Sequence, residues 1–417
     1  MNNIVFALRN IFRNKKRSVV TIFTICLGFT ALGVIGGMLN NIFSRLKEQA
    51  IVNEKLGHFT ISKEGFSENG KISPQDYLWT KKELEDIKAI VKSNENVAIA
   101  TPRLSLFGII SNGNSSTIFI SEAIVPIDDE QLSKTSIDGR IKEKGVVSLP
   151  TSNNNKKDVV AISAELSKNL KIKEGDNLTL LTSTKDGIAN ALDISVGQIY
   201  NTGNPGTNDK FVLMNFSSAQ ELYDTEGAQR LVVTVKDFSK LETTQDQVFK
   251  ALKQKGFKVE SKTWDKISLS YGKVKTMFGV IFRVLSIIIS FIVLLTLLNT
   301  MQMNVNERTK EIGTLGAMGM LKKNIIKIFC LEGLIMGIFG CLIAIPILLL
   351  IKLLLQWLNI TFIPPVASSE VLIGLIFKAP TVISVFVMFV VASVVSSFFA
   401  ARRITNQRII NSLNQSN

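Results

Sequence analysis

His58 is the only histidine in 417 residues, and the three cysteines, Cys26, Cys330 and Cys341, all lie in apolar runs. Zinc centres and metalloprotease motifs need several such ligands at set spacings, so the chain lacks the material for them. A single imidazole beside Gly57 reads as structural rather than as a general acid or base. Cys26 follows Ile25, where a lipidated cysteine would follow a small residue, and the three thiols read as packing groups. No G-x-x-x-x-G-K-[ST] or G-x-G-x-x-G run is present to cradle a phosphate. Serine and lysine are abundant, but no motif singles out a hydrolase pair. The chain therefore reads as a non-enzyme with no cofactor of its own; if ATP drives it, ATP is bound by another polypeptide.

The most informative residue types fall at 306–323, Asn-Glu-Arg-Thr-Lys-Glu-Ile-Gly-Thr-Leu-Gly-Ala-Met-Gly-Met-Leu-Lys-Lys. Glu307 and Glu311 are one helical turn apart and can face a partner together, with Arg308 and Lys310 directed elsewhere. Gly313, Gly316, Ala317 and Gly319 allow close backbone approach. Two readings stand: a short amphipathic helix that docks into a groove on a cytoplasmic partner, or a charged connector that only fixes topology. Glu332 lies about six residues, roughly 9 Å, inside the apolar run that follows. An ionisable group there is costly in a bilayer, and Glu332 is near enough to pair with a Lys or Arg of the 306–323 segment. Arg283 and Lys378 lie nearer the ends of apolar runs, where a long side chain can reach the interface.

The elements that must position these residues are membrane spans. Mean hydropathy is +0.26, and apolar segments at 18–42, 277–304, 326–356 and 372–400 each meet the roughly 20 residues a spanning helix needs. The first is too long for a signal-peptide core, and no small-x-small cleavage site follows it. The net charge of +14 is not a nucleic-acid footprint, because residues 43–275 hold 32 Lys/Arg against 30 Asp/Glu and the excess flanks the apolar segments. Arg9, Arg13, Lys15, Lys16 and Arg17 precede the first span, Arg308, Lys310, Lys322, Lys323 and Lys327 lie between the second and third, and Arg402, Arg403 and Arg408 follow the fourth. Basic short loops stay inside. Both termini and the 305–325 segment are therefore expected in the cytoplasm, with 43–275 and the short 357–371 loop outside.

Residues 1–17 place Ile4, Leu8 and Ile11 on one face, as an interfacial helix would; an unstructured leader is the alternative. Leu39, Ile42, Leu46 and Ala50, and again Ile267, Tyr271, Val274 and Phe278, recur at helical spacing. These stripes predict helices running on past the membrane, either packing on the domain or forming a paired stalk. Between them the pattern is mixed α/β in two subdomains: a helix from Pro74 to Val91, a hairpin of 104–110 and 117–124 around Asn112-Gly113, and strands at 158–162, 178–182, 192–200, 211–214, 231–235 and 258–261. Helices are expected at 164–170, 217–223 and 241–254, a turn at Gly175-Asp176, and exposed loops at 152–155 and 203–206. The fold class is an α-helical membrane protein with four transmembrane helices and a large extracytoplasmic α/β domain between spans one and two. The domain reading runs 1–17 interfacial helix, 18–42 first span, 43–275 outer domain with stalks, 277–304 second span, 305–325 coupling helix, 326–356 third span, 357–371 loop, 372–400 fourth span and 401–417 tail.

Glu307-Arg-Thr-Lys-Glu-Ile-Gly-Thr-Leu-Gly-Ala-Met-Gly319, followed by Glu332-Gly-x-x-x-Gly337-x-x-Gly340, resembles the coupling region of the ABC-type permeases related to FtsX, MacB and the lipoprotein-releasing Lol proteins. Ala7-Leu-Arg-Asn-Ile-Phe-Arg-Asn-Lys-Lys-Arg-Ser18 and Ala400-Ala-Arg-Arg403 resemble that family's flanking motifs, while a proline usual in its tail is missing around Gln407 to Ile409. Gly57-His58, Gly139-Arg140 and Leu170-x-x-x-x-Gly-Asp176 are most similar to the lipoprotein-releasing (LolC/LolE-type) branch. The resemblance covers the whole chain and implies a MacB-like periplasmic core domain in a permease of the inner membrane working by mechanotransmission. A separate cytoplasmic ATPase would push on Glu307, Arg308, Lys310, Glu311, Gly313, Gly316, Ala317 and Gly319, with Glu332 moving inside the membrane. A second permease copy or paralogue, lipoproteins and a periplasmic carrier are the implied partners. Efflux of periplasmic peptides or small molecules, and an FtsX-like signalling role that activates a cell-wall hydrolase, share this architecture.

Overall fold

The computed structural model describes residues 7, 9–11, 13, 15–70, 72–134, 149, 158–308, 313–314, 318, 320–362 and 371–405. Most of the expected 1–17 helix, the centre of the 305–325 segment, the 363–370 part of the expected 357–371 loop, Gly139-Arg140, the expected 152–155 loop and the tail beyond residue 405 lie outside them.

In chain order the elements are α1 (Lys15–Glu48), β1 (Phe59–Lys63), α2 (Lys81–Lys92), β2 (Val97–Ser111), β3 (Ser116–Ile124) and α3 (Pro126–Lys134). There follow β4 (Asp158–Ser163), α4 (Ala164–Leu170), β5 (Asn177–Ser183), β6 (Ala189–Tyr200), β7 (Phe211–Asn215), α5 (Phe216–Tyr223) and β8 (Arg230–Val235). The chain closes with α6 (Leu241–Gln254), β9 (Val259–Thr263), α7 (Leu269–Glu307), α8 (Lys322–Leu358) and α9 (Ala379–Thr405). Two compact units result, one built from 1–43, 275–361 and 372–417, the other from 44–274 with 362–371.

The first unit is the four membrane helices. At about 1.5 Å per residue, α1, α7 and α8 each exceed 50 Å, longer than a hydrocarbon core of about 30 Å. Ile25, Phe29, Leu32, Val293, Leu297, Ala344, Leu348 and Phe389 form one cluster from all four helices, with Cys26 and Cys341 inside it. Side chains such as Phe291 and Leu353 face outward, where lipid would cover them. The closest helix contact is α8 on α9. Gly333 and Gly337 lie against Ser393 and Ser397, and the Ser393 hydroxyl donates to the Gly333 carbonyl at 2.7 Å. Without a hydrophobic drive between helices in lipid, such small-residue faces and interhelical hydrogen bonds hold the pair. The fourth helix starts at Ala379, later than the expected 372, because Pro380 fits only a first helical turn.

The second unit lies in sequence between α1 and α7 and has two halves sharing the long strand β2. One half is a four-stranded antiparallel sheet in the order β2-β8-β1-β9. With α2 and α6 its connectivity is the split βαβ arrangement, closed around Phe59, Ile61, Ile87, Val91, Leu231 and Leu252. The other half returns on itself: β2 pairs β3, then β7, β4, β6 and β5 follow, and β5 pairs β2 again. Leu104, Leu106, Ile110, Phe119, Leu180 and Ile194 fill that six-stranded barrel. Among the described residues each of the six strands is paired on both sides.

The expected helix over Pro74–Val91 is two elements. A 3-10 turn at Pro74–Tyr77 is followed by α2, which restarts at Thr80 through a capping box with Glu83. Where the two stalk stripes meet the domain, Ile267 and Tyr271 pack on Ala50, Ile51, Leu56 and Trp264.

Candidate functional site

Helix α7 ends at Glu307, and a carboxylate at a helix C-terminus opposes the helix dipole. Arg17 at the start of α1 offsets this: its Nη2 donates to Glu307 Oε1, while its Nη1 reaches the Met303 carbonyl at 3.4 Å. Arg308 turns the other way. Its Nη1 donates to Glu332 Oε2 at 3.2 Å, and its guanidinium sits 5.2 Å from the Phe329 ring centroid. Phe329 and Glu332 are on α8 at i and i+3, so one face of that helix supplies both contacts. Glu332 is fully buried. From α9, Arg403 Nη1 donates to Gln302 Oε1 at 3.3 Å. The end of α7 is thus tied by polar contacts to α1, α8 and α9, over an apolar cluster of Met301, Val305, Ile325, Phe329 and Ala400. Glu307 and Arg308 contact α1 and α8 directly, and Gln302, more than a turn earlier on α7, contacts α9.

Among the residues singled out from the sequence, Glu332 and Arg308 come together, as the expected pairing of Glu332 with a nearby cation requires. Arg308 was expected to sit off the partner-facing side, and it goes further by burying itself against Glu332. Glu307 is exposed but engaged by Arg17 rather than free to meet a partner unopposed. Gly313 and Thr314 are helical. Lys310, Glu311, Gly316, Ala317 and Gly319 lie outside the described residues.

A second polar constellation escaped the sequence reading. Where β2 passes from the sheet to the barrel, Arg103 is fully buried, and its Nη2 reaches Asp129 Oδ1 at 3.4 Å. Lys55, just beyond the π-helical turn Gln49–Asn53 that follows α1, holds Asp129 Oδ2 at 2.8 Å. Beside them Arg230 Nη2 binds Glu122 Oε2 and the Ser105 hydroxyl, both at 2.6 Å. Burial pushes the Lys55 ammonium and the Arg103 guanidinium down from their usual ranges, with Asp129 opposing. A cavity of about 290 Å³ opens next to this network, lined by Glu54, Tyr200, Asn204, Arg230 and Ile267 among others. Burial pushes the Glu54 carboxyl up, while hydrogen bonds from Ser268 and Asn204 work against the shift. The only local signal was Arg103, the one charged residue of β2; its partner Asp129 lies 26 positions on, and Lys55, which shares that carboxylate, lies 74 positions before Asp129, so no spacing motif results.

His58 is structural. Its Nδ1 accepts the Val235 amide at 2.9 Å, and its ring meets Phe238 edge to face at 5.1 Å. Lys47 Nζ lies 3.5 Å from the centroid of that phenyl ring. Burial, then the Lys47 charge, lowers the imidazole pKa to about 4.

Comparison with known proteins matches this arrangement. Residues 283–409 match the FtsX-like permease C-terminal family, and residues 18–251, more than half of the chain, match the MacB-like periplasmic core domain. An uncharacterized ABC transporter permease of Methanocaldococcus jannaschii is 25% identical, over 96% of this chain and 94% of its own length. Two solved structures are similar to the domain. The periplasmic region of MacB from Actinobacillus actinomycetemcomitans has a TM-score of 0.34 and 14% identity, covering 51% of this chain and 92% of that one. The extracellular domain of the noncanonic ABC-type transporter YknZ from Gram-positive bacteria has a TM-score of 0.32 and 13% identity, covering 49% and 100%. A four-helix membrane unit tied together at the end of α7, with a MacB-like core domain between its first two helices, is a permease architecture, and the chain belongs to the FtsX/MacB-type ABC transporter permeases.

Proposed function

We propose that this chain is the membrane subunit of a mechanotransmitting transporter of the inner membrane that releases lipoproteins from the outer leaflet, with both termini cytoplasmic. ATP is bound and hydrolysed by a separate ATPase subunit that pushes on the 306–323 segment, and two permease copies or paralogues share the complex. The observation that carries this reading is the set of contacts at the end of α7: Arg17 to Glu307, Arg308 to Glu332 and Gln302 to Arg403. A push on the segment reaches every membrane helix through them, and α1 and α7 both run on toward the domain. The lipoprotein substrate rests on the Gly57-His58 and Leu170-x-x-x-x-Gly-Asp176 motifs.

The test is a proteoliposome containing the permease and its ATPase, loaded with a fluorescent triacylated lipoprotein and offered a soluble acceptor. ATP-dependent transfer is expected. Stimulated ATPase without transfer would remove the lipoprotein substrate and keep the coupled permease. Reversing Glu307 and Glu311 together to Lys should weaken ATPase co-purification several-fold and abolish transfer; unchanged binding and transfer would reduce 306–323 to a connector.

A further inference from the structure

The outer wall of the barrel carries five large apolar side chains. Phe107 and Ile118 are each 61% exposed, Ile109 49%, Leu181 41% and Ile120 39%. They are neighbours by strand register: Phe107 stands opposite Ile120, and Ile109 stands between Ile118 on β3 and Leu181 on β5. The alternate residues of these strands, Leu106, Ile110, Phe119 and Leu180, already fill the barrel. The outward set therefore plays no part in the core of its own domain. From Leu104 to Ser121 there is also no charged residue, although more than a quarter of 43–275 is charged.

A contiguous apolar patch of a few hundred Å² marks an interaction site, and the centres of protein interfaces are depleted of charge. The absence of Lys and Arg across 104–121 argues against a bilayer surface, whose docking faces carry basic residues around the apolar ones. Within that stretch there is also no group to recognise a charged peptide. The same neutrality suits a second copy of this face. Across a two-fold axis each patch meets its own image, so a charged face would repel itself and a neutral one does not. Five partly exposed side chains make a smaller face than the roughly 800 Å² per partner of free-standing complexes. Copies held in one membrane with one orientation need less, because confinement raises their effective concentration.

We propose that the outward face of β2, β3 and β5, centred on Ile109 and Ile118, is a contact surface between the domains of two copies of this chain. The inference rests on the reading that two permeases share one complex, and the experiment separates the two. The full chain is expressed in membranes with Phe107→Cys, Ile109→Cys or Ile118→Cys, and oxidised; Asp86→Cys on the exposed side of α2 is the control and the unsubstituted chain the blank. Native mass measurement of the extracted complex counts permease copies independently. The proposal expects two copies and at least a five-fold stronger disulfide-linked dimer for one or more patch cysteines than for Asp86→Cys. Adding Phe107→Glu to the best of the other two should remove that dimer. Two copies with no patch-specific dimer, or a patch cysteine captured instead by a different protein, overturns the proposal and leaves the paired permease standing. A single copy overturns both.

Discussion

At the scale of residues, the sharpest consequence concerns Arg308 and Glu332. Removing one member of a buried ion pair strands the other charge at a cost of about 3–5 kcal/mol, whereas replacing both by apolar groups is close to neutral. Arg308→Met alone should lower the unfolding midpoint of the detergent-solubilised chain, and Arg308→Met/Glu332→Leu should recover most of that loss without recovering ATP-driven transport. Equal stability of the single and double variants would show that the pair does not hold the helices. His58 gives a pH prediction. Its folded pKa of about 4 lies below the ordinary 6.5, so the fold favours the neutral ring. The stability it contributes is complete above about pH 6.5 and is lost as pH falls through about 4. As the only histidine, its imidazole resonance needs no assignment, and it should stay in place between about pH 8 and about pH 5.5. Movement centred near 6.5 would contradict its burial. That His58 is structural was legible from its isolation in the sequence. Its acceptance of the Val235 amide was not, because that partner is 177 positions away.

At the scale of elements, the α8–α9 contact is the tightest packing between the membrane helices. A Cβ on Gly333 would meet the Ser397 side chain and lie 2.9 Å from the Ser393 carbonyl, whereas one on Gly279 in α7 meets nothing within 4 Å. Gly333→Leu should therefore reduce the yield of folded, monodisperse chain severely, and Gly279→Ala should leave it unchanged; similar yields for both would show that the helices tolerate separation. The long apolar helices and the stalk stripes were readable because many turns repeat one period. The short strands β4, β7, β8 and β9 were readable as well, but β1, at five residues as long as β7 and β9, was not. Residues 97–103 of β2 were hidden by Pro102, which usually argues against a strand. Among the described residues, β2 pairs only with β8 over that stretch, so the missing amide leaves no second ladder broken.

At the scale of the whole molecule, the charge bias predicts that a reporter fused after Lys323 is cytoplasmic and one inserted near Asn154 is on the opposite side. Both on one side would refute the four-span orientation. The purified chain should hydrolyse no ATP until an ATPase subunit is added, as it carries no phosphate-binding loop; turnover by a preparation free of other ATPases would contradict this.

Composition and periodicity by themselves determined the four spans, the mixed domain between the first two and the segment after α7, because hydropathy and charge act over windows of 20 residues or more and need no knowledge of distant partners. They could not show that β2 serves both a split βαβ sheet and a closed barrel, since strand pairing is a choice among distant segments with similar local patterns. Nor could they show that Arg308 spends its charge on Glu332, or that Lys55, Arg103 and Asp129 share one buried network. Those pairings join residues separated by 24 to 74 positions. Only the tertiary structure brings them within reach, and it keeps them there because a buried charge without its partner is too costly for the fold to leave exposed to chance.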